Sequence, residues 1–227
     1  MLNTNRVISI VISVLLVMFS AIVHEVAHGW MALRCGDPTA KEAGRLTLDP
    51  RAHLDGFGSI LLPILMAAMG GPMFAFAKPV PYNPYRLNNR NRDEVMVAIA
   101  GPASNILQAL LGTGILWVAM NPLYDALLSL PTAGATWVIR IITTYVYVNL
   151  SLAFFNLIPL PPLDGSKVVM PLLKGEAKAK YYRIQQYSMP ILLVVLYIMP
   201  SVLGVDPLGA YLDLTAGNLY DLLVSVV

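Results

Sequence analysis

The chain has 227 residues, 57% of them hydrophobic and only 12% charged, with a formal net charge of +2. Soluble globular domains carry about a quarter charged residues. This composition, with a mean hydropathy of +0.66, therefore points to a membrane protein with no nucleic-acid partner, and the lone cysteine, Cys35, excludes an internal disulfide.

The first apolar run covers 7–33 and follows Arg6. Secretory h-regions span about 7–15 residues, so this longer run reads as a retained membrane helix. Inside it, "FSAIVHEVAHGW" places His24, Glu25 and His28 among apolar neighbours. Ionisable groups at the centre of a span cost about 2.5–3.5 kcal/mol each and are functional suspects. The spacing is H-E-x-x-H. Residues four apart share a helix face, so both imidazoles can hold one ion, and Glu25 can reach a water on that ion. His28 precedes Arg34 by six residues, which puts the site about 9 Å below the basic end of the helix.

Next in the chain, "GRLTLDP" (44–50) alternates Leu46 and Leu48 about Thr47 and predicts a short strand. His53 follows in the loop "RAHLD". The stretch 57–76 is apolar but carries Pro63 and Gly70-Gly71-Pro72, which suggests an element that enters the membrane and returns. The Pro-rich "KPVPYNP" after it is extended. A small membrane-associated sheet is expected from 44–50 and 74–82.

Three further spans are expected at 93–120, 135–160 and 184–204. The tail, 207–227, is interrupted by Asp213, Gly217 and Asp221 and suits an interfacial helix. Basic residues cluster at 34–51, 78–92 and 167–183, whereas 121–134 and 205–227 have none. A re-entrant 57–76 puts all three clusters on one face, the cytoplasmic one by the positive-inside rule. The expected architecture is an α-helical polytopic membrane domain, 1–227, with about four spans, both termini outside, and the site near the cytoplasmic face. Non-helical backbone at membrane depth must line a wet cavity or be buried in protein.

Catalytic zinc usually takes three protein ligands. His53 is one candidate for the third. The other is Asp164, in "FFNLIPLPPLDGS", where Pro159, Pro161 and Pro162 stop the helix and Gly165 permits a sharp turn. Asn156 lies two turns earlier and offers amide donors toward the same cavity.

With these residues in place the chain resembles the site-2 proteases, a family of intramembrane zinc metalloproteases. Three motifs match in order: H-E-x-x-H at His24, Glu25 and His28; A-G-P-x-x-N at Ala100, Gly101, Pro102 and Asn105; and N-x-x-P-x-P-x-x-D-G at Asn156, Pro159, Pro161, Asp164 and Gly165. The resemblance covers about residues 15 to 170. It implies one zinc ion on His24, His28 and Asp164, with Glu25 as general base and Asn156 holding substrate or the oxyanion. It also implies that 44–50 and 78–84 are strands that pair with an unwound transmembrane substrate, so that Leu46, Thr47 and Leu48 bind it. Asn105 and His53 are further candidates for substrate contact. No segment is long enough for the PDZ or CBS domain that many relatives carry.

Two other classes meet the same ligand set: a metal transporter and a zinc-stabilised membrane scaffold. A transporter calls for a polar through-path and usually repeated halves, and the sequence shows neither. A different H-E-x-x-H enzyme, a prenyl-protein endopeptidase, would need a downstream glutamate ligand, yet Glu42, Glu94 and Glu176 lie in or beside basic connections.

Overall fold

The computed structural model describes residues 4–54 and 78–227. Helix α1 (Thr4–Arg34) is mostly Val, Ile and Leu from Val7 to Val23, then carries His24, Glu25 and His28 and closes on Arg34. The short helices α2 (Thr39–Glu42) and α3 (Pro50–His53) follow. Helix α4 (Arg90–Met120) starts where the Asn89 side chain accepts from Arg92 N, satisfying one of the free amides of a helix start. A short helix α5 (Tyr124–Leu128) leads to α6 (Thr132–Asn156), which ends just before the proline cluster at 159–162. A proline lacks the amide that would continue the helix. Helix α7 (Asp164–Val169) then turns back toward α4.

Three helices, α1, α4 and α6, are long and apolar enough to cross a membrane. The fourth expected span is broken. Helix α8 (Gly175–Gln185) and the segment Ser188–Leu203, which opens as α9 (Ser188–Leu193), meet at 67°, so they make a further span only if the bent pair counts as one. Helix α4 lies between α1 and α6 and packs on both. Small residues bring these helices close: a Cβ on Gly112 would stand 2.8 Å from Val146 Cγ2. In lipid, where apolar surface alone does not drive association, such close contact supplies much of the holding force.

One expectation is corrected. No strand occurs among the described residues, so the predicted sheet is absent from 44–50 and 78–82; 74–77 and the whole 57–76 element lie outside them. The backbone groups at 44–54 and 78–89 are taken up locally instead. Thr47 Oγ1 accepts from Asp49 N at 3.1 Å, Asp49 Oδ1 from Arg51 N at 3.0 Å, and Asn83 Oδ1 from Tyr85 N at 3.0 Å. Pro79 and Pro81 have no amide to give a ladder. The two segments are joined by a side chain, with Arg45 Nη2 donating to Lys78 O at 2.7 Å.

The tail, expected as an interfacial helix, also has contacts that the sequence did not indicate. Helices α10 (Pro207–Leu212) and α11 (Asn218–Ser225), joined through Asp213–Gly217, dock on the bundle. Ala216 is buried with Ala109, Val146 and Leu150, and Leu219, Tyr220 and Leu223 pack around them. Ala109 is at mid-length of α4. The tyrosines at 211 and 220 explain the docking: Tyr211 donates to Phe154 O at 3.1 Å, and Tyr220 meets Tyr147 edge to face with ring centroids 5.7 Å apart.

Candidate metal centre

One helical turn separates His24 from His28, and their rings meet edge to face at 4.6 Å between centroids. The proline-broken chain after α6 carries Asp164 across to them. Gly165 makes that return possible, because a Cβ there would collide with the Leu157 and Ile158 carbonyls. The result is a triangle. His24 Nε2 and His28 Nε2 are 3.0 Å apart, and each is 3.1 Å from Asp164 Oδ2.

The far nitrogens of both rings are engaged. His28 Nδ1 is 2.6 Å from Val97 O, a backbone carbonyl that can only accept. His24 Nδ1 is 2.5 Å from Asn105 Oδ1. Each Nδ1 therefore donates, and each Nε2 turns its lone pair to the centre. Two bare nitrogens and a carboxylate oxygen at this distance repel one another unless a cation lies among them. Ligand atoms on a tetrahedral zinc with bonds of 2.0–2.1 Å stand about 3.3 Å apart, close to the separations here. The donor set, two imidazoles and one carboxylate, is a zinc set and leaves a fourth position open.

Gly101 forms one wall. A Cβ on it would lie 2.5 Å from His24 Nε2 and closer still to His28 Nε2. Only a glycine lets α4 approach the imidazole pair this closely.

Glu25, next to His24, is half-buried. Its Oε2 accepts from Val80 N at 2.8 Å, and its other oxygen has no described partner. Val80 is itself buried and meets α1 at Gly29, where a Cβ would stand 2.7 Å from both Val80 Cγ1 and Leu46 Cδ2.

The other sequence candidates each have their own setting. His53 is 1% exposed and its Nε2 donates to Thr47 O at 2.8 Å, so it holds its own loop and stands apart from the triangle. Asn105 is fully buried behind His24. The Asn156 amide donates back to Leu152 O at 2.9 Å, within its own helix. Leu46 covers Gly29, Thr47 is half-buried, and Leu48 is 56% exposed.

Sequence reasoning passed over Asn149, Val80 and Asp37. The first had a signal: an asparagine amid the apolar residues of α6 needs a hydrogen-bond partner from another helix. Val80 acts through its backbone, which no side-chain pattern reveals. Asp37 lies just past the end of α1, a position that reads as an ordinary loop carboxylate.

Comparison with known proteins agrees with this geometry. Residues 123–199, which include Asn156 and Asp164, match the model of peptidase family M50. "Putative zinc metalloprotease YwhC" of Bacillus subtilis is 37% identical over 198 residues, covering 87% of this chain and 82% of that protein. "Putative zinc metalloprotease Rip2" of Mycobacterium tuberculosis is 30% identical over 82% of this chain and 66% of its own length. No solved structure matches. Because the likeness to YwhC runs through nearly the whole of both chains, it reaches well past the stretch that the family model covers, and the chain belongs to peptidase family M50, the site-2 protease family.

Proposed function

We propose that the protein hydrolyses peptide bonds within or beside transmembrane segments of other membrane proteins. Membership of peptidase family M50 makes the chain a metalloprotease. The observation that carries the intramembrane reading is the depth of the His24–His28–Asp164 triangle. His28 lies six residues from the basic end of α1 and its partner Val97 seven from Arg90. At ~1.5 Å per residue, these are about 9 and 10 Å into two helices that are long enough to span a membrane.

When bound, zinc supplies a Lewis acid that polarises a peptide carbonyl and acidifies water. His24, His28 and Asp164 would hold it. Glu25 takes the proton of the attacking water on the carboxylate oxygen that has no partner among the described residues and returns it to the leaving amine, while the Val80 amide steadies the other oxygen. The Asn156 side-chain oxygen remains free to orient substrate. A helical substrate hides its carbonyls in i to i−4 bonds, so the segment must unwind before attack.

Sidedness follows from charge. Lys78 N donates to His53 O at 2.8 Å, so the basic residues at 34–51 and 78–92 share one face. The chain after α6 returns Asp164 to α1 and brings Lys167 within 5.2 Å of the Tyr82 ring. All three basic clusters thus gather at the metal end of the bundle, which by the positive-inside rule is cytoplasmic.

The test is reconstitution in lipid with a transmembrane model substrate, measuring bound zinc and cleavage together. Glu25→Gln is expected to keep zinc while cleavage falls about 10²–10⁴-fold, the usual loss of a general base. Asp164→Ala is expected to lose both. Cleavage surviving in Glu25→Gln sinks the mechanism. Cleavage of soluble peptides but of no membrane-embedded segment sinks the substrate assignment.

A further inference from the structure

Behind His24 runs a chain of hydrogen bonds whose direction is fixed at its far end. Asn149, on α6, is 0% exposed. Its Nδ2 donates to Tyr145 O at 3.0 Å. A backbone carbonyl can only accept, so the Asn149 amide is held with its oxygen pointing the other way. That oxygen receives Asn105 Nδ2 at 2.9 Å. The Asn105 amide is therefore oriented too, and it presents Oδ1 to His24 Nδ1 at 2.5 Å. An asparagine amide is nearly symmetric in shape, so Asn105 alone would fit either way round. Reversed, its NH₂ would face Nδ1, the ring proton would move to Nε2, and His24 could not bind a metal.

We propose that Asn149 is a positioning residue for the metal centre: through Asn105 it sets the tautomer of His24 and keeps Nε2 free for the ion. This rests on the reading of His24 as a ligand. The two histidines reach the same tautomer by different means. For His28 the acceptor is the Val97 carbonyl itself. For His24 the carbonyl is two side chains away, at Tyr145. The arrangement ties α1, α4 and α6 together at the site. It predicts that folding α6 against α4 is a condition for zinc affinity, beyond the delivery of Asp164.

The chain holds only three histidines, so ring ¹⁵N spectra of the full-length protein in detergent resolve each one. Four proteins would be compared with wild type: Asn149→Leu, Asn149→Asp, the double variant Asn105→Asp/Asn149→Leu, and His24→Ala. Zinc affinity is read by chelator competition and the His24 tautomer by ¹⁵N shifts. Asn149→Leu is expected to lose about tenfold in zinc affinity, the lower end for outer-shell partners of a metal ligand, with His24 split between tautomers. Asn149→Asp keeps an acceptor for Asn105 and is expected to keep the Nδ1–H tautomer. In the double variant, a carboxylate at position 105 accepts whichever way it lies, so affinity is expected to recover even though Asn149→Leu is still present.

Wild-type affinity and tautomer in Asn149→Leu would overturn the proposal. So would a double variant as weak as Asn149→Leu, because that marks a packing defect alone. Should Asn149→Leu fail to fold, Asn149→Asp decides: a shifted His24 tautomer there refutes the inference. His24→Ala tests the underlying reading. Retained zinc in that variant would unseat His24 as a ligand, whatever Asn149 does.

Discussion

Two regions of the molecule solve the same problem in opposite ways. At the metal centre, buried polar groups are satisfied by other side chains and by single carbonyls drawn from three helices. In the layer beyond the basic helix ends, residues 35–54 and 78–89, side chains satisfy backbone amides. Asp37 takes Thr39 N and Asn83 N, Asn89 takes Arg92 N, and Arg45 spans to the Lys78 carbonyl. The difference follows from the solvent. Inside the helix bundle an unmade hydrogen bond is costly, so the groups behind the histidines are directed one to the next. In the more exposed layer a loop can be pinned by a few caps and leave its remaining groups wet. Replacements at the centre should therefore act on metal binding, and replacements in the layer on placement and stability.

The largest expected effect is Gly101→Ala. Its methyl would stand within 2.5 Å of the atom His24 offers to the ion. Either the imidazoles swing away or α4 backs off, and both open the triangle. Zinc affinity is expected to fall about 100-fold, the upper end for changes around a metal ligand, while helical content measured by circular dichroism holds. Unchanged zinc binding in this variant would mean that α4 does not press on the histidine pair and that the comparison is drawn in the wrong place.

A smaller effect tests whether the layer reaches into the chemistry. Val80 is the only donor in Pro79-Val80-Pro81, and its amide meets Glu25. Val80→Pro removes that amide. The residue before a proline is already held extended, a conformation close to proline's own, so the backbone has little reason to move. Hydrogen bonds to a charged group contribute about 1.5–3 kcal/mol. A fall of about tenfold in kcat is expected, with zinc binding unchanged. Val80→Ala, which keeps the amide and loses the packing on Gly29, is the control. Equal losses in both variants would assign Val80 a packing role only.

The contrast between the regions also explains what the sequence could reveal. His24, Glu25 and His28 were legible because helical spacing translates directly into a shared face. Asp164 was legible as a candidate because three prolines and a glycine announce a broken chain at a span's end. Asn105 was seen as a candidate, but its bond to His24 Nδ1 was not: a side chain that meets a histidine and one that contacts substrate look alike until the other helix is in place. The sheet at 44–50 was a misreading. Leu46 and Leu48 alternate as a strand would, but so short an alternation carries no information about the partner, and among the described residues Pro79 and Pro81 deny the 78–82 segment a full ladder. The broken fourth helix and the docked tail depended on long-range contacts, such as Tyr211 on the Phe154 carbonyl, that composition does not encode.

The smallest expected effect lies wholly within the layer. Asp37 is buried just past α1 and accepts from Thr39 N at 3.0 Å, Thr39 Oγ1 at 2.5 Å and Asn83 N at 2.5 Å. Burial pushes its carboxyl up, but the bonds from Thr39 and Asn83 and the nearby Arg86 charge outweigh that, so its pKa lies below the usual carboxylate value. A carboxylate depressed on folding adds stability above its unfolded pKa of about 3.9, and that stability is lost as pH falls through the lower folded value. Asp37→Asn keeps one acceptor oxygen and cannot titrate. It is expected to lower stability by about 1–2 kcal/mol at pH 7, the scale of a weakened hydrogen bond to charge. With chelator present to remove metal effects, melting temperatures should differ most near neutrality and converge below about pH 4. Throughout, the variant should bind zinc as wild type does at pH 7. If it lost zinc in proportion to stability, the layer and the centre would be one cooperative unit, and the division drawn between them would fail.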